Sequence, residues 1–128
     1  MQLPPALSSR PAGAQILLVG VVPAVYGAVC GLLLGASEAL YVIGTLLAIP
    51  GGYVAGLEHE TPSSGALRGV VGGLLFGSFI LLAHEITGAE SEADLPNPAI
   101  VLVVVTVVGG VLLGALGAWT RRRRERRE

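Results

Sequence analysis

Charged residues are scarce in this 128-residue chain, and lysine is absent altogether. Asp, Glu, Lys and Arg together make up 13% of the residues, whereas a soluble domain usually carries about 25%. Hydrophobic residues make up 52%. The charge deficit excludes an ordinary water-soluble domain and predicts a membrane protein.

Cysteine and catalytic motifs are equally scarce. The single cysteine, Cys30, has no partner within the chain, which excludes an intrachain disulfide and a cysteine cluster for metal. No acid or base lies at the middle of any apolar run, so proton-coupled transport through a buried carboxylate is poorly supported. The chain has no P-loop and no nucleophile elbow. We therefore expect no enzyme activity, no cofactor, no bound metal and no nucleic-acid partner.

Long apolar runs are what the sequence does contain. Each has about 20 residues, enough for a helix to cross the roughly 30 Å hydrocarbon core of a bilayer. The pattern predicts an all-α bundle of four transmembrane helices within residues 15–120, the spans covering 16–36, 39–57, 67–86 and 99–119. Residues 1–14, rich in Pro and Ser, are predicted to form a mobile tail. A cleaved signal peptide is the alternative for the first run, but that run is long enough to span.

An arginine-rich tail over residues 121–128 orients the predicted spans. Arginine costs about 2.5 to 3.5 kcal/mol at the centre of an inserted helix, so basic segments stay in the cytoplasm. Four spans then place the N-terminus in the cytoplasm too, together with Arg10 and Arg68. We expect a multi-pass protein of the cell membrane with both termini cytoplasmic. The anchoring residues are Arg121, Arg122, Arg123, Arg124, Arg126 and Arg127.

Glycine recurs at every fourth position within the spans. Residues four apart lie nearly above one another on a helix, so each set forms a shallow stripe that lets another helix approach closely. Such stripes are typical of a glycine zipper. They pack either within one chain or against a second copy, and the spacing leaves both alternatives open. The predicted packing residues are Gly27, Gly31, Gly35, Gly52, Gly56, Gly69, Gly73, Gly77, Gly110 and Gly114.

The first and third spans match at an offset of 42 residues, Gly27 aligning with Gly69 and Gly31 with Gly73. The match indicates two duplicated helical hairpins of the same orientation. The alternative is chance, because Gly, Leu and Val are abundant throughout the spans.

Polar side chains near the ends of the spans form the candidate site. Glu38, His84 and Glu85 are predicted to converge at the outer mouth of the bundle. The favoured interpretation is an interfacial hydrogen bond or ion pair that ends the third span, and the alternative is a site that binds a divalent cation or forms a pH-sensitive pair. We interpret Glu58-His59-Glu60 as a solvated helix end, since alternate residues of a helix do not share a face.

The stretches Gly51-Gly-Tyr-Val-Ala-Gly56 and Gly65-Ala-Leu-Arg-Gly69, with the short polar loop between them, resemble uncharacterised glycine-rich four-helix membrane protein families of prokaryotes. The resemblance covers less than a third of the chain and implies no activity. We expect a non-enzymatic structural, assembly or accessory component that binds itself, as a homo-oligomer, or another membrane protein. The alternative is a small homo-oligomeric channel or transporter for an ion or small solute.

Overall fold

The computed structural model describes residues 2–128, and its regular secondary structure is helical throughout. A single 3₁₀ turn, Leu7–Ser9, precedes four long helices, α1 (Ala12–Leu34), α2 (Glu38–Leu57), α3 (Pro62–Thr87) and α4 (Ile100–Arg127). Each of the four is long and apolar enough to cross a membrane. The prediction of an all-α, four-helix chain is confirmed.

Three of the helices extend beyond the apolar runs that predicted them. α3 begins at Pro62 rather than residue 67, because the Thr61 hydroxyl caps its first turn by accepting from the Ser64 backbone N–H at 3.3 Å. α1 begins at Ala12, and α4 continues through the arginine tail to Arg127. Hydrophobicity thus marks the part of a helix that is apolar enough to cross a membrane, whereas caps and local propensity decide where the helix ends.

α3 lies at the centre of the packing, with α4 on one side and α1 on the other. A Cβ built at Gly69 would overlap the backbone carbonyl of Gly110, and one at Gly73 would overlap that of Thr106. The Thr106 hydroxyl lies 2.8 Å from the Gly73 carbonyl oxygen, within hydrogen-bonding distance between the two helices. This surface of α3 and α4, in which backbone meets backbone, is called the α3–α4 seam below.

The other glycine stripes also face neighbouring segments of the same chain. On α1, a Cβ at Gly27 or Gly31 would overlap backbone carbonyls of α3, and Gly56 of α2 lies equally close to Gly114 of α4. The aligned glycines of α1 and α3 therefore have different partners, since those of α1 face α3 while those of α3 face α4. Duplication of the hairpins stays a prediction, but the two halves do not pack in equivalent ways.

At the other end of the bundle from the α2–α3 connection, four buried side chains form an apolar cluster: Cys30, Leu34, Tyr41 and Ile80. The long connection between α3 and α4 covers it, because Ala93 and Leu95 pack against the cluster and the Glu92 N–H donates to the Leu34 carbonyl at 2.9 Å. Many large apolar side chains elsewhere on the helices are exposed. In water such a surface would be highly unfavourable, but in a bilayer it contacts lipid.

Candidate functional site

Four ionisable side chains meet where the α2–α3 connection reaches the N-terminal segment; those of Glu58 and Arg68 are buried, and those of Arg10 and His59 are partly exposed. The group consists of Arg10, Glu58, His59 and Arg68 and is called the buried charge cluster below. Glu58 is only 6% exposed. One of its carboxylate oxygens accepts from Arg10 Nε at 3.0 Å, and the other from Arg68 Nη2 at 3.4 Å. One carboxylate thus joins two cations that lie on different segments.

Glu58 is the residue that follows α2, and both its backbone and its side chain hold the N-terminal segment. Its carbonyl accepts from the Leu7 N–H at 2.8 Å, and the Leu7 side chain is buried. The interpretation of Glu58 as part of a solvated helix end is therefore wrong, although Glu60 is exposed. The segment predicted as a mobile tail makes these contacts through Leu7 and Arg10; Met1 lies outside the described residues.

Arg68, whose side chain is 8% exposed, also contacts a distortion in α1. Residues Leu17–Val21 are π-helical, with the Val22 N–H donating to the Leu17 carbonyl. In that register the next donor would be the nitrogen of Pro23, which carries no hydrogen. The Leu18 carbonyl therefore has no backbone donor in this register. Arg68 Nη2 donates to it instead, at 3.4 Å.

His59 lies beside the same guanidinium, with its Nε2 atom 3.5 Å from Arg68 Nη1. Burial lowers the pKa of His59 below its usual value of 6.5, and the positive charge of Arg68 lowers it further, while Glu58 opposes the shift. A neutral ring can accept from Arg68, whereas a protonated ring would oppose one cation to another. With His59 neutral, the buried charge cluster carries two positive charges and one negative charge.

We expect the protein to lose stability on acidification through His59. Below pH 6.5 the unfolded chain takes up a proton at this residue, whereas the folded protein resists protonation until a lower pH. The stabilisation is therefore complete above about 6.5 and is lost as the pH falls towards the folded-state pKa. Unfolding temperatures measured between about pH 5 and 8 in detergent should show this loss.

His59→Gln supplies the comparison for that measurement, because glutamine keeps a polar side chain but does not titrate. We expect the variant to lose less stability than the wild type between pH 6.5 and the acid end of the series. Above that range the two proteins should differ by an amount independent of pH. Parallel profiles over the whole series would assign the acid loss to another group.

Arg121 stabilises the same end of the bundle from α4. Its Nη1 atom donates to the Pro4 carbonyl at 2.7 Å and to the Leu57 carbonyl at 2.9 Å, and its Nε atom donates to Glu125 at 2.8 Å. Leu57 is the last residue of α2, so the guanidinium satisfies a carbonyl at a helix C-terminus. Of the six arginines predicted as anchors, this one joins three segments of the chain.

The other tail arginines belong to the last two turns of α4. The Arg123 guanidinium lies 5.1 Å from the centre of the Trp119 ring, in cation–π geometry. Arg122, Arg123 and Arg126 line a surface groove of about 360 Å³ together with Trp119. Arg124 and Arg127 line a neighbouring groove on the other side of Trp119 and Arg123.

The three residues predicted at the outer mouth do not bond to one another in the structure. Glu38 and Glu85 are exposed, and no hydrogen bond or ion pair links them to His84 or to each other within residues 2–128. The same residues contain no group of three His, Cys, Asp or Glu side chains placed to hold a metal ion. His84 Nδ1 is nevertheless buried beside Gly35 without a hydrogen-bond partner in the described chain.

The buried charge cluster escaped sequence reasoning, although one signal for it was present. Arg68 is an ionisable residue inside an apolar run, and such residues in a span are usually paired and functional. Glu58 lies ten residues earlier, at the end of the preceding helix, and supplies the opposite charge. The signal missing from the sequence was the return of Arg10 to the same place.

The fold indicates the class of protein to which the chain belongs. Four long apolar helices are compatible with a multi-pass integral membrane protein. Comparison of the chain with protein-family models, with curated proteins and with solved structures found no match. Membership of a glycine-rich prokaryotic membrane family therefore stays a prediction from the sequence.

Proposed function

We propose that this chain is a non-enzymatic integral membrane protein with a structural, assembly or accessory role. The observation that carries the proposal is the α3–α4 seam, where backbone meets backbone at Gly69 and Gly73 and leaves no width for a solute. α1 closes on the opposite side of α3 in the same way at Gly27 and Gly31. A bundle packed in this way supports a fixed shape better than a conducting path.

We infer that both termini lie in the cytoplasm and that the membrane is the cell membrane of a prokaryote. The support for this orientation is the division of charge between the two ends of the bundle, and the support for a prokaryotic membrane is the family resemblance of the sequence. Arg10, Arg68 and the arginine tail share one end with the α2–α3 connection, whereas Glu38 and the acidic α3–α4 connection lie at the other. Basic segments remain on the cytoplasmic side.

Labelling of the variants Ser8→Cys and Ser91→Cys in intact cells with an impermeant maleimide tests this orientation. Only Ser91→Cys should react, because its cysteine would lie outside the cell.

The partner under this proposal is a second copy of the chain or another membrane protein. The outward faces of the helices are broad and apolar, so a partner would lie against them within the bilayer. Light scattering on the protein in mild detergent measures the number of protomers. A dimer or larger assembly would indicate self-association, and a monomer would favour a different membrane protein as partner.

A channel or transporter is the second candidate, and one observation favours it. His84 Nδ1 is buried without a partner in the described chain, at the acidic end of the bundle, and ionisable residues within membrane spans often mark substrate or ion paths. A path would require the helices to separate or several copies to enclose a pore.

Ion flux into liposomes decides between the two candidates. Under the proposed role, reconstituted protein should give no more flux of any tested ion than empty liposomes. Flux that is lost in the double variant Glu38→Ala, His84→Ala but retained in Glu90→Ala would overturn the proposal in favour of a channel. Glu90 is the matched control because it is an exposed acid in the α3–α4 connection.

A further inference from the structure

The last turns of α4 carry three arginines on one face, next to the only tryptophan of the chain. Trp119, Arg122, Arg123 and Arg126 stand at positions i, i+3, i+4 and i+7, which lie along one side of a helix. They line an open surface groove of about 360 Å³. The other groove, which Arg124 and Arg127 line, is smaller, at about 280 Å³.

None of these three arginines pairs with an acidic side chain in the part of the chain that the structure describes. The ion pairs there engage Arg10, Arg68 and Arg121 instead. Glu125, the nearest acid to the groove in sequence, is already bonded to Arg121. The groove thus collects three positive charges with no internal counter-charge, and an anion would be strongly favoured in it.

The position of the groove along α4 matches the depth of the lipid headgroups in a bilayer. The apolar part of α4, from Ile100 to Trp119, has a length of about 30 Å, which is the thickness of the hydrocarbon core. Arg122 and Arg123 then lie about 4.5 to 6 Å beyond Trp119 along the axis, and Arg126 about 10 Å beyond it. The headgroup layer occupies roughly the first 5 to 8 Å outside the core. Two of the guanidinium groups therefore start at the level of lipid phosphates, and the third lies just outside them.

We propose that the groove of Trp119, Arg122, Arg123 and Arg126 binds the headgroup of an anionic phospholipid. The planar guanidinium groups of Arg122 and Arg123 hold the phosphate through paired N–H donors. Arg126 faces the outer part of the headgroup, and Trp119 lies against the glycerol region, where tryptophan is favoured. The site is a property of α4 alone and does not depend on the structural role proposed above.

Trp119 makes the test direct, because its emission is the only tryptophan signal of the protein. The purified chain in neutral detergent is titrated with phosphatidylglycerol, with phosphatidylcholine and with inorganic phosphate. We expect a saturable change in emission with phosphatidylglycerol, and no saturable change with phosphatidylcholine or with phosphate at the same concentrations. A response to phosphate alone that matches the lipid would show a site for free anions and overturn the lipid assignment.

Two double variants remove equal charge from the two grooves. Arg122→Gln with Arg126→Gln should weaken phosphatidylglycerol binding about tenfold or more, because both residues belong only to the proposed site. Arg124→Gln with Arg127→Gln should weaken it by no more than about threefold, through the general loss of surface charge. Equal weakening by the two pairs would overturn the proposal in favour of non-specific attraction, as would the absence of any response to phosphatidylglycerol.

Discussion

Gly69→Ala is expected to lower the unfolding temperature of the detergent-solubilised protein by several degrees. The new methyl group would overlap the backbone carbonyl of Gly110, and a backbone cannot move aside as the end of a flexible side chain can. α3 and α4 must therefore separate over part of their length. Overpacking of this kind costs about 1 to 3 kcal/mol, and occasionally more. Thermal unfolding followed by circular dichroism measures the effect.

Gly72→Ala is the matched control for this prediction. It lies in the same helix, three residues further on, and no atom of a neighbouring helix stands within 4 Å of the position that its Cβ would occupy. Alanine also favours a helix over glycine, by up to about 1 kcal/mol, so the control should be neutral or slightly stabilising. The same fall in unfolding temperature for both variants would mean that α3 and α4 do not meet at Gly69.

Among the single substitutions of polar residues described above, Glu58→Gln is expected to lower the free energy of unfolding the most. The substitution keeps the size of the side chain but removes the negative charge that Arg10 and Arg68 share. Leaving a buried charge without its partner costs about 3 to 5 kcal/mol. The end of the bundle should open, releasing the N-terminal segment as well as lowering the unfolding temperature. Limited proteolysis before Ala12 reports the release separately.

Glu60→Gln provides the control, since Glu60 is exposed only two residues away and should change stability little. A second comparison uses the double variant Glu58→Gln, Arg68→Gln. Removing both charges leaves no unpaired guanidinium at position 68, so the double variant should be less destabilised than the sum of the two single variants. Strict additivity would show that Glu58 and Arg68 do not interact.

The four helices could be predicted from the sequence because a bilayer imposes a length and a polarity on any segment that crosses it. It was also sufficient to identify the glycine faces as contact surfaces. It did not tell which helix each face meets, because the stripes of α1 and α3 have the same spacing yet different partners. That choice depends on the packing of the whole bundle, to which each glycine contributes only a small part.

The candidate site was harder to predict for a related reason. Glu58 stands between polar neighbours in the sequence and is typical of a solvated turn, and its burial results from the approach of Arg10, which is 48 residues away. Conversely, Glu38 and His84 lie near the same end of the bundle but turn towards different surroundings. Helical spacing places a side chain on a face, but it does not indicate whether a distant segment will cover that face.

The α3–α4 seam also has a consequence for the order in which the protein is made. α3 leaves the ribosome before α4, so for that interval its bare glycine face and its exposed backbone have only lipid against them. Lipid chains fill such a shallow groove poorly, so before α4 is inserted the bundle of three helices is not held in its final arrangement. The arrival of α4 then completes two things at once, since the same helix closes the seam and brings Arg121 to the ends of α2 and the N-terminal segment. We therefore expect the α3–α4 seam and the contacts of Arg121 to form only late in synthesis.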